Sequence, residues 1–112
     1  MNSFKFPVIN PILHSDLRLK IMVALDCLES ADFVYLCEIT DSTRGNLSVQ
    51  ITTLKEAGYL EVSKTGLGRF SRTVCRITER GRHALSAYED GLRRMFEEQV
   101  PSQEEEQTLK AG

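Results

Sequence analysis

The sequence predicts a mainly helical α+β fold in which three helices lead into a β-hairpin and a long helix closes the chain. Two observations carry that expectation. Apolar residues recur at helical spacing on either side of a short stretch, residues 59–77, where the period changes to two. Residues suited to helix ends stand where those changes fall, at Thr43, Gly58 and Thr78. A chain of 112 residues can bury one modest core but not two.

Residues 1–13 are apolar and broken by proline, with Phe4, Phe6, Val8, Ile9, Ile12 and Leu13. Such an arm is too apolar to hang free and should pack on the body or on a second subunit. Ser15 or Asp16 then caps a first helix running to about Leu28, with Leu17, Ile21, Ala24, Leu25 and Leu28 on its buried side. Glu29 to Asp32 reads as a loop. A short second helix follows, from about Phe33 to Ile39, with Phe33, Leu36 and Cys37 turned inward.

The third helix is the best punctuated. Leu47, Ile51 and Leu54, with Ala57 close by, place one apolar stripe along it. Thr43 can cap its start, and Gly58 can take the left-handed turn that ends it. Tyr59 to Lys64 then reads as a strand and Thr73 to Ile77 as its partner, with Thr73, Cys75 and Ile77 facing one way. Between them, residues 65–72 form a glycine-bearing tip that carries Arg69 and Arg72. Thr78 caps the last helix, Glu79 to about Gln99, which Pro101 ends. Its seam of Ala84, Leu85, Tyr88, Leu92, Met95 and Phe96 is longer than a small domain needs to cover itself. Residues 1–100 are therefore expected to form the domain, and 101–112, with Glu104 to Glu106, a disordered acidic tail.

Charge is unevenly shared. From Thr43 to Arg82 eight basic residues stand against three acidic ones, a net +5, which leaves −7 for the rest of a chain whose formal charge is −2. For contact with a polyanion, that distribution counts for more than the sum. The N-terminal sequence has two prolines and no continuous apolar run, so no signal peptide is expected, and no stretch approaches a membrane span. Three cysteines without a CxxC pair point to a reducing, cytoplasmic setting.

Helix, helix, helix, hairpin, helix is the order of a winged helix-turn-helix. The sequence carries Leu47, Ser48, Ile51, Leu54, Gly58 and Tyr59 in an L-S-x-x-[IL]-x-x-L-x-x-x-G-Y arrangement. It also carries Thr73, Ile77, Thr78, Gly81 and Arg82 as T-x-x-x-[LI]-T-x-x-G-R. Together with HSDLRLKIMVAL at 14–25, these runs resemble the small MarR/ArsR-like winged-helix transcriptional regulators over about residues 12–92. The resemblance implies a cytoplasmic, sequence-specific binder of double-stranded DNA, homodimeric and acting as a repressor. The third helix would enter the major groove. Asn46, Ser48, Val49, Gln50 and Thr53 would face base edges, and Thr43, Arg44 and Lys55 phosphates. Lys64, Arg69 and Arg72 would serve the wing.

Other chemistries find less support. Gly66-Leu67-Gly68 lies between strands with no helix after it, so it is a turn and not a phosphate loop. His14 and His83 stand without an acid or nucleophile pattern, so no enzyme is expected. Cys37 sits where ArsR-like metalloid sensors carry two cysteines one residue apart, but here the second position is Ile39. No metal or cofactor is therefore expected. Cys27, Cys37 and Cys75 all read as buried small hydrophobes, with a thiol switch left open. The rival reading is a winged helix used for protein assembly, favoured by Leu67 and Phe70 in the wing.

Overall fold

Leu47, Ile51 and Leu54 face a core that they share with every other long element, and that core explains the arrangement. The computed structural model describes residues 3–100. Its elements are α1 (Asp16–Leu28), β1 (Ser30–Asp32), α2 (Phe33–Thr40), α3 (Arg44–Glu56), β2 (Leu60–Thr65), β3 (Arg72–Ile77) and α4 (Glu79–Glu97). A single 3-10 turn, Gly68–Phe70, sits between β2 and β3. Leu13, Ile21, Met22, Leu25, Leu36, Leu47, Leu54 and Cys75 have no more than 2% of their surface exposed, so arm, helices and sheet close on one core.

The expected caps at Thr43 and Thr78 are in place. The Thr43 hydroxyl accepts from the Asn46 N–H at 3.1 Å, and the Thr78 hydroxyl accepts from the Gly81 N–H at 3.0 Å. Thr78 also donates to the Gly58 carbonyl at 2.7 Å, which pins the start of the hairpin to the start of α4. Gly58 has a φ of 82°, the left-handed turn its position calls for. Ser15 takes the extended backbone of a cap residue, but its side chain makes no capping hydrogen bond. Arg82 reaches back to α1, donating to the Asp26 carboxylate at 2.8 Å.

Four expectations need correction. Residues 30–32 form a strand and not a loop: β1 pairs antiparallel with β3, Ser30 opposite Arg76 and Asp32 opposite Val74. The sheet is therefore three-stranded, in the order β1-β3-β2. Leu28 is 45% exposed, the last residue of α1 before Glu29 turns the chain with a φ of 72°. Cys27 is exposed and Cys37 only half-buried, leaving Cys75 alone as a core thiol. Arg72 is not at the wing tip but opens β3, opposite Thr65.

The arm packs on the body, as expected. Leu13 is buried, Ile9 and Ile12 are partly so, and Asn10 Nδ2 donates to the Tyr59 hydroxyl at 2.9 Å. Further out it lies beside the end of α4, where the Lys5 N–H donates to Gln99 Oε1 at 2.8 Å. Phe6 and Val8 remain 68% and 97% exposed. On α4, Gly81, Leu85, Tyr88 and Gly91 are buried, but Phe96 is 80% exposed. The expectation of a disordered acidic tail falls outside the described residues.

Candidate nucleic-acid interface

Burial of the Leu47–Ile51–Leu54 stripe forces the opposite side of α3 outward. Arg44, Asn46, Ser48, Val49, Thr52 and Lys55 are exposed, while Gln50 and Thr53 are half-buried. Val49, 61% exposed, is the one apolar group on that face. Two hydroxyls are turned back onto the helix: Thr52 donates to the Ser48 carbonyl at 3.0 Å and Thr53 to the Val49 carbonyl at 3.2 Å. The Thr43 hydroxyl, accepting from Asn46 N–H, keeps its own proton for an outside acceptor.

Gln50 is not free. Its Oε1 accepts from Arg18 Nη1 at 2.6 Å, and its Nε2 donates to Asn46 Oδ1 at 3.1 Å. Arg18 is in turn fixed by its Nε, which donates to the Ile12 carbonyl at 2.6 Å. Sequence reasoning missed Arg18 altogether. It belongs to α1, and nothing in its local pattern marks it out from the other basic residues on a helix face.

The wing presents charge of a different kind. Arg69 sits on the 3-10 turn with its guanidinium carbon 5.8 Å from the centre of the Phe70 ring. Arg72 faces Asp32 at 3.9 Å, and Arg76 faces Glu29 at 3.7 Å. The turn and strand missed from the sequence thus supply acidic partners to two arginines of the hairpin. Among the described residues no carboxylate lies within 4.0 Å of Arg44, Lys55, Lys64 or Arg69 in an ion pair. Between the start of α2 and β3 lies an open cleft of about 560 Å³, bordered by Asp32, Tyr35, Glu38 and Arg72, with Arg44 of α3 at its edge. The residues picked from the sequence therefore stand on two elements, the exposed face of α3 and the hairpin.

Residues 17–96 match the family of winged helix DNA-binding domains. The chain belongs to that family. An uncharacterized protein of Methanocaldococcus jannaschii is 36% identical over 77 residues, which cover 69% of this chain and 84% of that one. A transcriptional regulator homologue from Pyrococcus horikoshii OT3 superposes with a TM-score of 0.69 at 30% identity, over 73% of this chain and 81% of that one. The transcriptional regulator BldR of Sulfolobus solfataricus shares the fold at 22% identity, with a TM-score of 0.63 over 87% of this chain and 69% of its own. A MarR-family regulator from Silicibacter pomeroyi does so at 16%, with a TM-score of 0.61 over 89% of this chain and 68% of its own.

The winged helix protein is a transcription regulator, and DNA is the partner its family implies. The T-x-x-x-[LI]-T-x-x-G-R run acquires a physical meaning in it. Thr78 joins hairpin to helix and Arg82 joins α4 to α1, so the wing and α3 are held against one frame. His14, unassigned by the sequence, joins the arm to α4 through its Nδ1, 2.8 Å from the Tyr88 hydroxyl. Among the described residues no group of His, Cys, Asp and Glu is gathered so as to hold a metal, and no helix is long and apolar enough to cross a membrane.

Proposed function

We propose that the winged helix protein is a homodimeric repressor that binds an inverted-repeat operator, each subunit placing α3 in a major groove and its hairpin on the flanking backbone. The observation that carries this reading is the composition of the exposed face of α3, small and neutral, with unpaired Arg44 and Lys55 at its two ends. Asn46, Ser48, Val49, Gln50 and Thr53 face the base edges, while Thr43, Arg44, Lys55, Lys64, Arg69 and Arg72 take phosphates or a narrow minor groove. A dimer bound at a promoter excludes other proteins from it, which is repression by occupancy.

The dimer reading is supported by apolar surface that one chain leaves uncovered. Leu19, Val23 and Leu92 line a cleft between α1 and α4, over buried Leu85 and Tyr88 and beside Asp26 and Glu89. Phe96 near the end of α4 and Phe6 and Val8 in the arm are further exposed apolar groups. Apolar surface left open in this way is what an interaction site presents. Replacing Leu92 and Phe96 together by Glu should then give a sedimenting monomer with weakened DNA binding; a wild-type monomer at tens of micromolar would remove the interface.

Selection of bound duplexes from a random pool tests the whole. An enriched inverted repeat, its half-sites about 10 base pairs apart centre to centre, is the expected result. One observation favours assembly on a protein instead: Leu67 and Phe70 in the hairpin are 87% and 77% exposed. A pool with no enrichment over bulk DNA would favour that reading.

A further inference from the structure

A guanidinium can only donate hydrogen bonds, and that fixes the direction of every bond downstream of Arg18. The atom of Gln50 that faces Arg18 Nη1 at 2.6 Å must be the carbonyl oxygen. The Gln50 amide nitrogen then faces Asn46, so the Asn46 atom 3.1 Å away must be its oxygen. Each side-chain oxygen has one of its two lone pairs engaged inside the protein. The groups left wholly free for an outside partner are N–H: both protons of Asn46 Nδ2 and the second proton of Gln50 Nε2.

An amide reads adenine by donating to N7 and accepting from the N6 amino group, which needs its oxygen turned to the same base edge, whereas here the Gln50 oxygen is turned to Arg18 and the Asn46 oxygen to Gln50. Guanine presents N7 and O6, both acceptors. We propose that Arg18 is a specificity-positioning residue: through Gln50 it orients the Asn46 and Gln50 amides as donors, so that the operator half-site carries guanine opposite the first turns of α3. Arg18 acts without touching a base, and the Ile12 carbonyl that holds its Nε at 2.6 Å keeps the guanidinium in place. This rests on the reading of α3 as a groove-binding helix.

The test is duplex selection with the wild type, Arg18→Met, Arg18→Lys and Gln50→Glu, alongside melting curves and the salt dependence of binding. Wild type should enrich guanine over adenine at one position of each half-site by roughly tenfold. Arg18→Met frees the Gln50 oxygen and should let adenine rise to parity or better, and Arg18→Lys, which restores a donor, should recover guanine. Gln50→Glu supplies an acceptor toward Asn46 and turns its amide over. Preference should then move to bases with an amino group in the major groove, adenine or cytosine. Should Arg18→Met fail to fold, that reversal by Gln50→Glu decides the matter alone.

An unchanged motif in the folded Arg18→Met and Gln50→Glu proteins overturns the proposal. So does an Arg18→Met protein that keeps its motif but flattens the log–log salt slope by about 0.9 per phosphate, since Arg18 would then be bound to the DNA backbone. A wild-type motif without guanine in the half-site overturns it while leaving the groove-binding reading intact. Absence of any wild-type motif removes that reading, and the proposal with it.

Discussion

Along the exposed face of α3 most polar side chains are tied to another group: Arg18 to Gln50, Gln50 to Asn46, Thr52 and Thr53 to their own helix. On the hairpin the polar groups are charged and loosely held. Arg69 rests near a single ring, and Arg72, its side chain 73% exposed, meets Asp32 only at 3.9 Å. One surface has lost its rotamer freedom in advance of binding, and the other keeps it. Order of the first kind suits reading, because a misplaced donor is costly when its partner lies in a fixed base edge. Mobile charge suits a polyanion, whose attraction hardly depends on angle. The comparison teaches that discrimination and affinity are carried by different materials in the same small domain.

Both surfaces rest on one seat, and removing it should cost most. Leu54→Ala empties a completely buried position under α3. A loss of about 2–5 kcal/mol of stability is expected, read by chemical denaturation, with both modes of DNA recognition failing together. A stable variant that lost only sequence preference would show that α3 and hairpin are seated separately.

The next pair divides the surfaces. Arg69→Ala with Arg72→Ala should weaken binding to every sequence and flatten the salt slope by about 0.9 for each phosphate no longer neutralised. Gln50→Ala should leave that slope alone and relax preference at one base position by about 1–3 kcal/mol. Filter binding across a salt series with matched and mismatched duplexes checks both. The opposite pattern would make the hairpin the reader.

A third experiment loosens the sheet that carries the hairpin. Burial pushes the Cys75 thiol from 9.0 up to about 11. The folded chain therefore holds this proton more tightly than the unfolded chain does. Its contribution to stability is complete below pH 9 and declines as pH rises toward 11. Denaturation midpoints should fall over that window and fall less in Cys75→Val. Iodoacetamide should meanwhile modify exposed Cys27 first and Cys75 only on unfolding.

The smallest effect is expected from Asp32→Asn. It keeps an acceptor for the Tyr35 N–H at the start of α2 and removes the charge facing Arg72. Exposed pairs of this kind contribute less than about 1 kcal/mol, so bulk DNA should bind only severalfold tighter, with unchanged base preference. A shift in preference would tie the hairpin's charge to the reading surface after all.

What could be read from the sequence was whatever is decided within one or two turns of chain. The Leu47–Ile51–Leu54 stripe, the Thr43 and Thr78 caps and the left-handed Gly58 are local, and the structure has each of them. β1 was missed because three residues have no period; Ser30–Asp32 is a strand only through its pairing with β3, more than forty positions on. The Arg18–Gln50 hydrogen bond spans 32 positions, so neither end announces the other. Leu28 and Cys27 fit the helical spacing of α1, and only what packs, or fails to pack, against its last turn decides that they are exposed.

The strand order has a consequence for how these variants behave in a tube. With β3 in the middle, β2 is an open edge six residues long, while β1 offers only three. An unpaired edge of that length invites the backbone of another molecule, and charged side chains on it are the usual deterrent. Glu61 and Lys64 are the charges on β2, both exposed. Neutralising Lys64 to probe its role at a phosphate therefore also unguards a sticky border, and weaker DNA binding by such a variant argues for that role only if the protein has not begun to aggregate.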